Sequence, residues 1–151
     1  MEEFKVPLRE IRVHIRLREG EEIDGTLHAL SIGPDGKPGR LIDRLNDADA
    51  FVPWTQGDKL DLLNKTGIVW VRVGANEPAE EPGSEDESHG AHVTVDISGG
   101  IHAVGEMHYL MPPERSRVLD YVNSSPRFIA LRGDSGMLLV NCEHIVRIHE
   151  E

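Results

Sequence analysis

Alternation of apolar and polar side chains is the strongest pattern in the chain, and it predicts β-strands. Residues 13–18 alternate with a period of two, and residues 93–97 repeat the alternation. Such a period is typical of a strand with one buried face. A polar turn containing glycine follows each run, and apolar positions then resume at residues 23–30 and 103–110. Each half of the chain is therefore predicted to begin with a β-hairpin.

The segment 40–71 occurs a second time at 117–148, displaced by 77 positions without a gap, with eight identities in 32 pairs. The hairpins are displaced by 80 positions, so the length difference falls in the connecting loop. Repetition of this kind predicts two related structural units. The identical pairs are Arg40/Arg117, Asp43/Asp120, Asn46/Asn123, Phe51/Phe128, Leu62/Leu139, Asn64/Asn141, Ile68/Ile145 and Val69/Val146.

After the hairpin, each unit is predicted to form one short helix and three more strands. The helices are predicted over residues 40–46 and 117–123, where apolar positions share one face. Asn64 and Asn141 are predicted to open a tight bend, with the amide side chain capping its own backbone. Gly25 and its counterpart Gly105 indicate a bend or a close backbone approach. The later strands are predicted at 51–54, 60–63 and 68–73, and at 128–131, 137–140 and 145–148.

These elements predict a division into an N-terminal segment (1–10), a first unit (11–73), a linker (74–91) and a second unit (92–149). In the N-terminal segment Phe4, Val6 and Leu8 alternate, which suits either a short edge strand or a loosely held terminus. The linker has six acidic residues and no lysine or arginine, a composition that favours an extended, flexible tether.

Charge and cysteine content narrow the class of protein. The net charge is −11, but the linker carries more than half of it, so a local basic patch on a unit is compatible with the total. A single cysteine, Cys142, suits a reducing compartment. Neither a secretory signal nor an apolar run of about 20 residues is found, and we therefore expect a cytoplasmic protein without membrane association.

The pattern V-x-I-x-L-x-x-G-x-x-I-x-G-x-L from Val13 to Leu27 resembles the first motif of Sm-like proteins. Sm-like proteins place a helix before the first strand, whereas here the helical signal follows the second. The resemblance implies a mainly β fold of two tandem, five-stranded SH3-like or Sm-like barrels, each with a short helix between strands two and three. The motif R-[LV]-[IL]-D-x-[LV]-N, with F-[VI] and L-[LV]-N-x-x-x-I-V, also resembles an uncharacterised bacterial domain.

A second resemblance concerns cyclic-dinucleotide binding. Asp96, Ser98 and Gly100 resemble the D-x-S-x-x-G signature of PilZ domains, and Arg12 and Arg16 supply an R-x-x-x-R pattern. The spacing to Gly100 is one residue short, and the arginines lie in the other unit. PilZ-like binding is therefore the less favoured alternative.

No residue pattern points to catalysis or to a cofactor. The eight histidines show no metal-ligand spacing, and no serine follows a nucleophile-elbow pattern. Cys142 is interpreted as a half-buried residue at a strand end, since its counterpart is Lys65. We therefore predict a protein that is not an enzyme and needs no metal or cofactor.

The predicted function is a non-enzymatic tandem β-barrel interaction module that binds a protein partner or itself. Single-stranded nucleic acid is the alternative partner, through arginines near the second helix with Tyr109, Tyr121 and Phe128 for stacking. Arg40 and Arg117 either face the partner or pair with Asp43 and Asp120. The candidate partner-binding residues are Arg40, Arg44, Arg117, Arg127, Arg132 and Trp54. The predicted structural residues are Asp43, Asn46, Phe51, Asn64, Asp120, Asn123, Phe128 and Asn141.

Overall fold

The computed structural model describes residues 8–31, 36, 39–74, 89–109, 111–115, 117–124 and 126–151. Within these residues the chain forms ten strands and two α-helices, α1 (Leu41–Leu45) and α2 (Val118–Asn123). The strands are β1 (Leu8–Leu17), β2 (Glu22–Leu30), β3 (Phe51–Gln56), β4 (Lys59–Asn64), β5 (Ile68–Gly74), β6 (His89–Ile97), β7 (Ile101–Tyr109), β8 (Phe128–Gly133), β9 (Gly136–Asn141) and β10 (Ile145–Glu150). The predictions of a mainly β fold and of two short helices are confirmed.

All ten strands belong to one antiparallel sheet in the order β10-β6-β7-β8-β9-β5-β1-β2-β3-β4. The sheet does not close, because β10 and β4 stand at its two ends. Two separate five-stranded barrels are therefore not confirmed. The reason lies in a ladder that sequence periodicity does not reveal: β5 pairs with β9 and makes the sheet continuous.

The runs β1–β5 and β6–β10 have the same internal strand order and corresponding registers. Val13 lies opposite Gly25 in the first hairpin, and Val93 lies opposite Gly105 in the second. The third and fourth strands also correspond, with Phe51 opposite Asn64 and Phe128 opposite Asn141. Where both runs form a pair at corresponding positions, the second pair follows from the first by the offsets of 80 and 77 positions found in the sequence.

Period-two alternation positions the buried face of each strand. On β1, Ile11, Val13 and Ile15 are buried, while Arg12 and the polar residues between them face outward. Two apolar clusters result. The first gathers side chains of the first run and also Phe128, Met137 and Leu139; the second gathers those of the second run together with Val69 and Trp70. Each cluster is thus completed across the β5–β9 ladder.

The strand limits differ from the predicted segment limits at four points. β5 ends at Gly74, the first residue of the predicted linker. β1 begins at Leu8, within the predicted N-terminal segment 1–10, and β6 begins at His89, within the predicted linker 74–91. β10 extends to Glu150, one residue past the predicted end of the second unit. Phe4, Val6 and residues 75–88 lie outside the described residues.

Candidate interaction surfaces

Local carboxylates neutralise the arginines predicted to form a duplicated charged patch. The Arg40 guanidinium donates to both carboxylate oxygens of Asp43 at 3.3 Å. Arg117 makes the same two bonds to Asp120, at 3.0 and 3.1 Å, and the Arg117 backbone N–H also donates to Asp120. Asp120 raises the pKa of Arg117 above its usual value. Of the two alternatives for Arg40 and Arg117, the observed geometry corresponds to pairing with Asp43 and Asp120.

Arg44 belongs to a second charged cluster, which surrounds a buried lysine that sequence reasoning missed. Its guanidinium donates to Asp47 at 3.0 Å and to Asp49 at 3.1 Å. Lys65 is fully buried, and its Nζ donates to Asp47 Oδ1 at 2.7 Å and to the Arg44 carbonyl at 2.9 Å. Burial tends to raise the pKa of Asp47, but the bonds from Lys65 and from the Asp49 backbone outweigh it, and the pKa lies below 3.8.

The remaining predicted partner-binding residues are Trp54, Arg127 and Arg132, of which Arg127 contacts the Arg44 cluster. Trp54 is buried in the first apolar cluster, which removes it from any exposed contact surface. Arg127 lies beside the first unit, where it donates to the Asp49 carbonyl at 3.5 Å. Arg132 is exposed on β8, opposite Glu106 on β7.

Asparagines of the repeated motif cap turns and form hydrogen bonds between the two runs. Asn64 and Asn141 each accept a hydrogen bond from the backbone N–H two residues later, at 3.0 and 2.9 Å, as the sequence predicted. Asn141 also donates to the Lys65 and Ile68 carbonyls, and Asn46 exchanges two hydrogen bonds with the Phe128 backbone. Asn123 ends α2.

The two end strands of the sheet carry apolar side chains that face solvent. Leu60 and Leu62 on β4 are exposed, as is Phe51 on the adjoining β3. Val146 is exposed on β10, at the other end of the sheet, and Leu119 is exposed on α2. Of the eight large apolar side chains that the described part of the chain leaves exposed, three lie on the two end strands and Phe51 lies on the strand next to β4.

A groove of about 580 Å³ lies over β1, β2, β3 and β5 and is lined by Arg12, His14 and Arg72, among others. His14 bonds Glu22 and Asp24, each at 2.6 Å, and these bonds raise its pKa above 6.5. The Arg72 guanidinium lies 4.8 Å from the centre of the Trp70 ring, a cation–π distance. The groove thus combines cationic side chains with a neutralising carboxylate, and the Trp70 ring lies beside Arg72 rather than in its lining.

The other candidate chemistries find little geometric support. Among the described residues, no three His, Cys, Asp or Glu side chains are placed to hold a metal ion. Burial raises the pKa of Cys142 to about 11, which disfavours the thiolate. The residues of the PilZ-like pattern lie on strands that are not neighbours, β1 for the arginines and β6 for Asp96, and Asp96 bonds His102 and Arg147.

Comparisons with protein-family models, curated proteins and solved structures gave no match. None of the helices in the described ranges has the length and apolar character needed to cross a membrane.

The double variant Arg40→Ala/Arg117→Ala is expected to remain folded. Each arginine pairs with an exposed or partly exposed carboxylate on its own helix, and such pairs contribute about 0.3–0.5 kcal/mol each. Urea unfolding followed by circular dichroism measures the change. A loss well above about 1 kcal/mol would contradict the surface-pair interpretation. Unchanged stability with lost partner binding would restore the charged-patch hypothesis.

Proposed function

We propose that this chain is a non-enzymatic tandem β module that binds protein, either a second copy of itself or another protein, through the ends of its sheet. In this proposal the two halves are related five-stranded units of SH3-like or Sm-like type. The orders β5-β1-β2-β3-β4 and β10-β6-β7-β8-β9 support this assignment, because the strands of each half are neighbours in the sheet.

The observation that carries the proposal is the exposure of apolar side chains on β4 and β10. An end strand presents unpaired backbone N–H and C=O groups, which template pairing with another strand. Proteins that stay monomeric commonly protect such edges with charges, proline or short strands. β4 carries charges at Lys59 and Asp61, but Leu60 and Leu62 place exposed apolar groups on the same strand. This suits an added strand whose main chain supplies hydrogen bonds and whose side chains bury the leucines.

Single-stranded nucleic acid remains the second candidate, favoured by the groove with Arg12 and Arg72, the latter stacked on the Trp70 ring. Cationic and aromatic groups together can bind backbone phosphates and bases. Asp24 lines the same groove, and Asp24 and Glu22 both bond His14. These carboxylates reduce the positive potential that phosphates require, and for this reason protein binding is the favoured function.

Capture by the tagged full chain from native lysate tests the proposal, with nuclease-treated and untreated samples compared. We expect a bound protein, whether another copy of this chain or a different one, that survives nuclease and is lost with Leu62→Lys or Val146→Lys. The matched control is Val104→Lys. Val104 is a strand residue as exposed as these two, but it lies on β7 inside the sheet order.

Two results would overturn the proposal. One is capture that is indifferent to Leu62→Lys and Val146→Lys. The other is co-eluting RNA or DNA that dissociates as salt rises, as phosphate contacts do, because this outcome would place the groove ahead of the sheet ends.

A further inference from the structure

We propose that copies of this chain assemble head to tail, with β4 of one copy pairing antiparallel to β10 of the next copy. The inference rests on the proposed function and narrows it by committing to a second copy of this chain as the occupant of both sheet ends. The template for the contact is already present inside the chain, in the ladder between β5 and β9.

The β5–β9 ladder joins the fifth strand of the first run to the fourth strand of the second. Its register places Val71 opposite Leu139 and Arg72 opposite Leu138. The sheet ends are formed by the remaining fourth strand and the remaining fifth strand. They are β4, the fourth strand of the first run, and β10, the fifth strand of the second. β4 and β10 therefore correspond to the two strands that pair inside the chain, but neither has such a partner in the sheet.

Displacement by 77 positions transfers the internal register to the proposed contact. Leu62 is the counterpart of Leu139, and Ile148 is the counterpart of Val71, so these two residues face each other across the new ladder. The full set of expected pairs is Leu63 with Arg147, Leu62 with Ile148, Asp61 with His149, Leu60 with Glu150, and Lys59 with Glu151.

Differences in burial between counterparts support this contact. Several apolar side chains at or beside the internal joint are buried, whereas their counterparts at or beside the sheet ends are exposed. On the fourth-strand side the exposed fractions are 0% for Phe128 against 50% for Phe51, 9% for Met137 against 61% for Leu60, and 1% for Leu139 against 66% for Leu62. On the fifth-strand side they are 6% for Val69 against 70% for Val146.

The exposed apolar residues at the sheet ends match positions that are buried at the internal joint, which distinguishes them from isolated exposed residues. Phe51, Leu62 and Val146 are three of the eight residues that are identical in the two runs, although in this chain only their counterparts are covered. An isolated chain has no packing reason to keep large apolar groups at these positions. A second copy placed as at the internal joint would bury all three, with the gain that accompanies removal of apolar surface from water.

Polar groups fit the same arrangement. At the internal joint the buried Asn141 amide donates to the Lys65 and Ile68 carbonyls of the first run. Its counterpart Asn64 is exposed, and it would meet the corresponding carbonyls of Cys142 and Ile145 in the next copy. The register also places Lys59 beside Glu151, so that opposite charges meet, and it places Asp61 beside His149, whose ring N–H can donate to a carboxylate.

The contact joins two different surfaces, so each copy carries one of each and the pairing can continue. Interfaces of this kind generate closed rings, or open filaments where the rotation does not close. Two copies that close on each other would already use all four sheet ends. We therefore expect assemblies of at least two chains, with no free β4 or β10 edge in a closed form.

Inter-chain disulfide formation tests the register in the purified full chain. Cys142→Ser removes the native thiol, and Asp61→Cys and His149→Cys are then placed in separate, differently tagged chains. Directly opposed residues in an antiparallel ladder have Cα atoms about 4.5–5.5 Å apart, within the range a disulfide spans. Mixing the two chains under mild oxidation should give the cross-linked pair in high yield, and neither chain should cross-link with itself.

Lys59→Cys mixed with His149→Cys is the matched control, because it shifts the pairing by two residues on the same face and should cross-link poorly. Self-linked Asp61→Cys or His149→Cys chains would overturn the head-to-tail arrangement in favour of like-with-like pairing. Light scattering that gives the mass of one chain at every concentration would also overturn it. Retained capture of a different protein through Leu62 would then leave the proposed function standing, and loss of that capture would remove both.

Discussion

Asp47→Ala is expected to lower the free energy of unfolding by about 3–5 kcal/mol at neutral pH, since it leaves a buried charge without its partner. Lys65 is fully buried, and Asp47 is the carboxylate that bonds its Nζ. The carbonyls of Arg44 and Asp47 also accept from Nζ, but they carry no full charge to offset its desolvation. The substitution would also remove a partner of Arg44 at the end of α1.

Urea unfolding followed by circular dichroism measures this change, with Asp49→Ala as the matched control. Asp49 also pairs with Arg44, but it is exposed and does not bond Lys65, so its loss should cost less than about 1 kcal/mol. Adding Lys65→Met to Asp47→Ala should recover part of the stability, because the buried charge is then gone. Equal effects of Asp47→Ala and Asp49→Ala would contradict this account.

The direction of the Asp47 pKa sets the pH at which the comparison is made. The pKa is lowered in the folded protein, so the folded state favours the charged carboxylate. The stabilisation is complete above the ordinary carboxyl pKa near 3.8 and is lost as the pH falls through the lower, folded value. The difference between wild type and Asp47→Ala should therefore shrink in strong acid.

Strands, helices and turns were predictable because local pattern determines them. Period-two alternation identifies the buried face of a strand, and Asn64 and Asn141 cap their own turns, an interaction between residues adjacent in sequence. The β5–β9 ladder was not predictable, because alternation identifies which face of a strand is buried but not which strand lies along its edge. The sheet ends, and with them the candidate surface, depend on that ladder.

The burial of Lys65 and Trp54 was missed for a related reason. A lysine is almost never fully buried unless it is paired, so residue type gave no reason to expect Lys65 in the core. One signal was present in the repeat, where Cys142, a residue type often buried, aligns with Lys65. Trp54 was assigned to a partner surface by residue type, yet it alternates in phase with the buried Val52 on β3.

Gly25→Ala is expected to destabilise the fold by about 3 kcal/mol, the upper part of the range for overpacked cores. A Cβ at Gly25 would lie 2.3 Å from Trp54 Nε1 and 2.5 Å from the Thr55 carbonyl oxygen. Trp54 is buried, and its indole nitrogen has no hydrogen-bond partner among the described residues, so the ring edge packs directly against the β2 backbone. Backbone on one side and a buried ring on the other leave no flexible group to move aside.

The counterpart Gly105 and the open Gly67 provide a graded comparison by urea unfolding. At Gly105 the nearest atom is the Arg132 carbonyl oxygen at 2.9 Å, so Gly105→Ala should cost less than Gly25→Ala. At Gly67 no atom lies within 4 Å, and Gly67→Ala should change stability by less than about 1 kcal/mol. The expected order of cost is therefore Gly25, Gly105 and Gly67. If Gly25→Ala proved as mild as Gly67→Ala, then β2 and β3 could separate at little cost. The close approach of Trp54 to the Gly25 backbone would then not constrain the spacing of these two strands.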